Sequence, residues 1–168
     1  FIRMAYQLLK KSKVDFNPCE VEYSRRYNVF VVGTYQLVEE DSELFALYSE
    51  KDLTAINSRV GSLNVFTIEN VCLEQHKCRF GGVFALKISS VGLPQSKSEL
   101  ILAAHANGVI GLYQLLDMKI TLYRYFETNS TMLTTIDEYM ENESNKWTIW
   151  TGASDGRLSC ILSTDSGI

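Results

Sequence analysis

The sequence predicts an all-β fold because apolar and polar residues alternate over many short runs. These runs are rich in Val, Ile, Tyr, Phe and Thr, and polar or glycine-containing turns separate them along the 168 residues. Asn107-Gly108 and Asp155-Gly156 stand between such runs, where a tight hairpin turn favours residues that accept a positive φ. The pattern therefore favours antiparallel strands joined by tight turns over strands that alternate with helices.

The strands fall into three groups that share one order: a leading strand, an apolar second strand, and a returning strand after a turn or an insertion. In the second group a further outer strand follows the return. The predicted strands are 19–23, 29–35 and 61–68 in the first group; 82–88, 100–104, 109–115 and 121–126 in the second; and 132–139, 147–152 and 158–162 in the third.

The spacing of the groups points to a repeat. A small residue stands near the end of each second strand, and Ala103 follows Gly33 by 70 residues whereas Gly152 follows Ala103 by 49. One blade of a β-propeller takes about 40–50 residues. A polar insertion at about 39–58 accounts for the longer first spacing.

We therefore predict a partial WD40-type β-propeller, with about three blades of a larger ring. Residues 1–18 form an N-terminal segment, which is either a helix or a closing strand. Residues 19–80 form the first blade with its insertion, 81–127 the second, and 128–168 an incomplete third. A β-sandwich does not explain why the same strand order recurs. The repeats are degenerate, since no blade ends in the Trp-Asp pair of WD repeats.

Composition excludes several classes of function. The 16 basic residues are scattered among 20 acidic ones, so no basic face for nucleic acid is expected. There is no apolar run of about 18 residues that would predict a membrane helix. The four cysteines lack the C-x-x-C spacing of zinc sites. We expect a cytoplasmic protein with free thiols, no metal, no cofactor, and no nucleic-acid or membrane partner.

Catalytic candidates are weak. Gly152 to Gly156 match the G-x-S-x-G pattern of the hydrolase nucleophile elbow, but a strand follows where that motif needs a helix, so a hairpin turn is expected. His105 stands beside the equivalent turn of the second group. In a propeller such turns lie on one face of the ring, so His105, Ser154 and Asp155 are expected to share a surface. A base with a hydroxyl nucleophile is conceivable there.

One stretch resembles a known family. Gly33-Thr34-Tyr35-Gln36-Leu37 follows an apolar strand and precedes a variable acidic insertion and the segment Arg59-Val60-Gly61-Ser62-Leu63-Asn64-Val65-Phe66. This arrangement resembles the first blade of the WD-repeat diphthine methylesterases. The segments 102–115 and 152–158 are similar to the second and third blades of that family.

The resemblance implies a carboxylic ester hydrolase that acts late in diphthamide biosynthesis. Such an enzyme removes a methyl ester from the modified histidine of elongation factor 2, which would be the partner. The resemblance also implies a full propeller of about seven blades, of which this chain is the N-terminal part. It assigns no catalytic residue. The alternative function is that of a non-catalytic WD-repeat scaffold for protein–protein interaction, since a fold does not by itself imply a reaction.

Overall fold

The computed structural model describes residues 11, 13–38, 59–91, 97–141 and 146–163, and every regular element in these ranges is a β-strand. The predicted all-β class is confirmed. None of the described residues belongs to a helix that could cross a membrane. The strands are β1 Asn17–Ser24, β2 Val29–Leu37, β3 Arg59–Val60, β4 Ser62–Thr67, β5 Cys72–Lys77, β6 Val83–Ile88, β7 Glu99–His105, β8 Val109–Leu116, β9 Lys119–Glu127, β10 Leu133–Glu141, β11 Lys146–Ala153 and β12 Leu158–Ser163.

The strands form three antiparallel sheets, which together give a propeller-like fold. The first sheet has the order β1-β2-β4-β5, with β3 paired to the end of β2. The second sheet has the order β6-β7-β8-β9, and the third has the order β10-β11-β12. Within each sheet the strands pair in chain order, except that β3 and β4 both pair with β2. Residues 1–10 and 12 of the N-terminal segment 1–18, for which a helix or a closing strand was predicted, and the insertion at about 39–58 lie outside the described residues. Asn17 and Pro18, the last residues of that segment, begin β1.

The sheets stack so that corresponding strands meet. The first strands β1, β6 and β10 lie side by side, and the last strands β5 and β9 meet at the opposite edge. Two apolar clusters fill the space between the sheets, one between the first and second sheets and one between the second and third. The second sheet is therefore covered on both faces. This explains the continuous apolar run in β7, where Ile101 and Ala103 belong to one cluster and Leu100 and Leu102 to the other.

A β-bulge in the first strand of each sheet sets the register. The irregularities follow Pro18, Val83 and Leu133. The first residue pair after the bulge is Glu20–Gly33 in the first sheet, Ala85–Ala104 in the second and Thr135–Gly152 in the third. The residue of the second sheet that corresponds to Gly33 and Gly152 is therefore Ala104, not Ala103 as spacing suggested. The difference matters because one residue of slip moves a side chain to the other face of a sheet.

Gly33 allows the first two sheets to approach closely. A Cβ atom at this position would lie 2.7 Å from Cγ1 of Val83 and 2.9 Å from Cδ2 of Leu86, both on the second sheet. Gly152 has a different role, since a Cβ there would meet Oγ1 of Thr135 in its own sheet at 2.7 Å. Gly33 thus allows two sheets to pack closely, whereas Gly152 allows two strands of one sheet to pair.

Candidate functional site

His105 lies at the end of β7 and is completely buried between the first and second sheets. Its Nδ1 is 3.3 Å from the carbonyl oxygen of Gly81 and its Nε2 is 2.9 Å from the hydroxyl of Tyr113. A carbonyl only accepts, so Nδ1 carries the proton and Nε2 accepts a hydrogen bond from Tyr113. Burial lowers the pKa of His105 to about 4, and the imidazole is therefore neutral near pH 7.

Phe80, Cys78 and Tyr113, which lie near His105, are also buried, whereas His76 is half-buried. The rings of Phe80 and His105 meet edge to face at 5.6 Å between centroids, and the ring of His76 meets Tyr113 in the same manner at 5.5 Å. Cys78 lies beside them, and burial raises the pKa of its thiol to about 12. Among the described residues no group of three or more His, Cys, Asp or Glu side chains is placed to hold a metal ion. We interpret this cluster as part of the packing between the sheets.

Ser154 and Asp155 lie in the exposed turn that joins β11 to β12. Oγ of Ser154 is 3.1 Å from Oγ1 of Thr131, and the carboxylate of Asp155 accepts the backbone N–H of Arg157 at 3.0 Å. That backbone hydrogen bond is the main reason why the pKa of Asp155 is lowered. Because β12 follows and Gly156 has a φ of +83°, the G-x-S-x-G segment is a hairpin turn, as its sequence context predicted.

The structure does not bring the three sequence candidates together. His105 contacts Gly81, Phe80 and Tyr113, whereas Ser154 and Asp155 contact Thr131 and Arg157. The expectation that His105 shares a surface with Ser154 and Asp155 is therefore wrong, because the side chain of His105 points between two packed sheets. A fully buried imidazole cannot accept a proton from a substrate at the surface.

A cleft of about 540 Å³ lies near the first strands of the three sheets. It gathers carboxylates, hydroxyls and cations that are far apart in the sequence. Its lining residues are Glu22, Tyr23, Arg25, Lys87, Ile88, Ser89, Ser90, Glu99 and Glu138. Its lining offers both carboxylates and cations to a small polar group.

Glu138 holds one wall of this cleft in place. Its carboxylate accepts hydrogen bonds from the hydroxyl of Ser89 at 2.5 Å and the hydroxyl of Ser90 at 2.9 Å. It also accepts the indole N–H of Trp147 at 2.8 Å. Because these donors come from the second and third sheets, Glu138 joins the two sheets at the cleft.

Glu22 and Lys87 supply the carboxylate and the ammonium group that a reaction in this cleft would use. Burial is the main cause that raises the pKa of Glu22, although the charge of Lys87 opposes the shift. A hydrogen bond to Asp137 raises the pKa of Lys87, which therefore remains an ammonium ion near pH 7. A carboxylate with a raised pKa can act as a general base, and an ammonium ion can stabilise a developing oxyanion.

Sequence reasoning did not find this cleft. Glu22 and Glu138 occur in alternating strands, where a charged residue normally indicates a solvent-facing position. No short motif joins positions 22, 87 and 138, because only the packing of the sheets brings them to one place. In the sequence, the Ser89-Ser90 pair at the end of an apolar run is the local feature that could have indicated a polar site at this position.

Comparisons with known proteins do not place this chain in a family. No family model matches the chain, and no curated protein matches it. A solved structure described as the complex of the fission yeast SREBP–SCAP binding domains is similar at 12% identity and a TM-score of 0.38. The match covers 98% of this chain and 52% of the other, so the chain spans about half the length of that protein. A likeness at this level identifies neither a function nor a partner.

Proposed function

We propose that the three sheets are consecutive blades of a WD-type propeller and that the protein is a diphthine methylesterase acting on elongation factor 2. The observation that carries the proposal is the pairing of the two segments on which the family resemblance rests. Gln36 pairs with Val60 and Leu37 with Arg59 across β2 and β3, and Gly33 pairs with Leu63 across β2 and β4. Segments separated by the long insertion thus form one structural unit.

The residue types of this unit have specific structural roles. Oγ1 of Thr34 is 2.8 Å from Oγ of Ser62 and accepts the backbone N–H of Ser62 at 3.0 Å, and both side chains are fully buried. A Cβ at Gly61 would lie 2.2 Å from the carbonyl oxygen of Thr34 and 2.7 Å from Cα of Gly82. The Gly-Thr and Gly-Ser pairs therefore have structural roles in the framework that these two segments form.

The cleft at the first strands is the proposed reaction site. Glu22 takes a proton from water as the water oxygen attacks the ester carbonyl carbon. Lys87 stabilises the negative charge that develops on the carbonyl oxygen. The tetrahedral intermediate then collapses, the bond to the methoxy oxygen breaks, and the proton on Glu22 passes to that oxygen to release methanol.

The experiment is an assay of methanol release from elongation factor 2 that carries methylated diphthine, with the purified protein that contains this chain. We expect release well above the spontaneous rate, and a reduction of about 100-fold or more for Glu22→Gln, since general base catalysis contributes about 10²–10⁴-fold. Glu127→Gln, which changes an exposed carboxylate on β9 that does not line the cleft, is the control and should retain activity. The absence of release above the spontaneous rate would contradict the methylesterase proposal.

A second candidate function, that of a non-catalytic scaffold, is favoured by exposed apolar side chains on the outer sheets. Val21 on the first sheet is 56% exposed, and Leu158 on the third sheet is 77% exposed. Such surface is common at protein–protein contacts. Retention of elongation factor 2 in a pull-down, without methanol release, would support this second function over the first.

A further inference from the structure

The first strands of the three sheets carry charged residues at one equivalent position. Glu22, Lys87 and Asp137 each lie two residues beyond the first residue pair after the β-bulge of their sheet. Because a two-residue step along a strand returns to the same face, the three side chains occupy the same face of their respective sheets. The strands β1, β6 and β10 lie side by side, so a negative, a positive and a negative group follow one another across the sheets.

Lys87 stands between two carboxylates but pairs with one of them. Its ammonium group forms an ion pair with Oδ1 of Asp137, and among the described residues no ion pair joins Lys87 to Glu22. Lys87 and Glu22 both line the cleft, whereas Asp137 does not. Asp137 therefore influences the cleft through the lysine that it binds.

The carboxylate of Asp137 is fixed by its own strand. The oxygen atom that binds Lys87 also accepts the backbone N–H of Glu138 at 2.8 Å. The side chain of Glu138 is in turn bonded to the hydroxyl of Ser89 and the indole of Trp147, which belong to the second and third sheets. The framework thus sets the position of the Asp137 carboxylate, which holds the end of a flexible lysine side chain.

The competing arrangement is an ion pair between Lys87 and Glu22. Burial is the largest influence on the pKa of Glu22 and raises it, the charge of Lys87 lowers it, and the charges of Glu20 and Asp137 raise it. The other charged residues that line the cleft are Arg25, Glu99 and Glu138. A direct ion pair with Lys87 would lower the pKa of Glu22 further and would make its carboxylate a weaker base.

We propose that Asp137 is a positioning residue, which holds the ammonium group of Lys87 beside the cleft and keeps it from pairing with Glu22. A carboxylate and an ammonium ion that pair with each other are less able to act on a third group, and Asp137 maintains them as two separate groups. Its value for catalysis rests on the proposed function, in which Glu22 is the base and Lys87 stabilises the oxyanion. The separation itself is a property of the folded protein and is measured without a substrate.

The test measures the titration of the Glu22 carboxyl group by NMR, in the purified protein that contains this chain and is labelled at the glutamate carboxyl carbons. The variant Glu22→Gln identifies the signal. In Asp137→Asn the ammonium group of Lys87 is released to Glu22, so the pKa of Glu22 should fall by about one pH unit. Asp137→Glu restores a partner for Lys87 and should reverse most of this fall. Because the side chain of Asp137 is 69% exposed, the fold should tolerate both changes.

Two further variants separate positioning from simple charge repulsion. Glu127→Gln removes an exposed carboxylate outside the cleft and should leave the pKa of Glu22 unchanged. In a Lys87→Gln background, Asp137→Asn removes only a like charge, and the pKa of Glu22 should fall by about half as much or less. Equal falls with and without Lys87 would overturn the proposal, because Asp137 would then act through its charge alone. An unchanged pKa of Glu22 in Asp137→Asn would overturn it as well.

Methanol release gives a second readout, which keeps this proposal apart from the proposed function. In Asp137→Asn the acid limb of the pH–rate profile should move to lower pH together with the pKa of Glu22. The kcat should fall by about tenfold or more at a nearly constant KM, since an interaction specific to the transition state is lost. Asp137→Glu should recover both properties.

The two measurements fail independently. The expected NMR changes without methanol release from the unaltered protein would contradict the methylesterase function and support the positioning of Lys87 alone. Methanol release with a pH–rate profile that Asp137→Asn does not alter would support the methylesterase function and overturn the role of Asp137.

Discussion

The imidazole Nε2 of His105 lies 2.9 Å from the hydroxyl oxygen of Tyr113, inside the contact between the first and second sheets. Gly111 makes room for this pair, because a Cβ there would lie 2.8 Å from Nε2 of His105 and 2.5 Å from Cε2 of Tyr113. The pair therefore satisfies two polar groups that burial has removed from water. Its role is to allow a polar residue inside an otherwise apolar contact.

Removal of the Tyr113 hydroxyl should destabilise the fold. The change Tyr113→Phe leaves the buried Nε2 of His105 without its donor, and an unsatisfied buried acceptor costs about 1–3 kcal/mol. Urea unfolding should show a corresponding decrease in the free energy of unfolding. Tyr139→Phe is the control, since Tyr139 is 63% exposed and its change should stay within about 0.5 kcal/mol. Equal effects of the two changes would refute this role.

The stability of the fold should decrease as the pH falls from about 6.5 to about 4. His105 has a pKa of about 4 in the folded protein, below the value of about 6.5 expected in the unfolded chain. The unfolded state therefore binds a proton in this range while the folded state does not, and the loss is about 3 kcal/mol in total. Above pH 6.5 the imidazole is neutral in both the folded and the unfolded state, so it does not make the stability depend on pH.

The variant His105→Gln isolates this effect. Urea unfolding between pH 7 and pH 4 gives the free energy of unfolding as a function of pH. This free energy should fall more steeply with decreasing pH for the unaltered chain than for the variant, and the difference in slope should correspond to the uptake of about one proton on unfolding. The pKa of His76 is also lowered by burial, and it contributes in the same direction to both proteins. Parallel pH profiles would show that His105 is not neutral and buried in solution.

A methyl group at position 33 should separate the first two sheets. In Gly33→Ala the new Cβ would lie 2.7 Å from Cγ1 of Val83, so overpacking should cost about 1–3 kcal/mol. The double variant Gly33→Ala/Val83→Ala removes the clashing methyl groups. Its loss of stability should be smaller than the sum of the two single losses, by about 1 kcal/mol. Simple additivity in urea unfolding would mean that these residues are not in contact.

The four cysteines should differ in reactivity. Cys19, Cys72 and Cys160 are exposed, whereas Cys78 is buried and its pKa is raised to about 12. Because the thiolate is the reactive form, Cys78 should resist alkylation in the folded protein and react once urea unfolds the chain. Mass spectrometry after alkylation at pH 7.5 tests this. Rapid native labelling of Cys78 would contradict the packing between the first and second sheets.

The sequence by itself determined the features that depend on neighbouring residues. Strand alternation predicted the all-β class, and the turn residues predicted that Ser154, Asp155 and Gly156 form a hairpin instead of a nucleophile elbow. Both conclusions hold in the structure because backbone preferences and the two-residue period of a strand are local properties.

Only the tertiary structure decided which face each residue occupies and which groups share a site. His105 is the last residue of β7 and precedes a turn, where many residues face solvent, but the register of β7 directs its side chain between two sheets, where burial lowers its pKa. The register also shows that Ala104, and not Ala103, is the residue of the second sheet that corresponds to Gly33. Glu22, Lys87 and Glu138 form one cleft because three sheets stack, and burial and electrostatics depend on such distant neighbours instead of on sequence spacing.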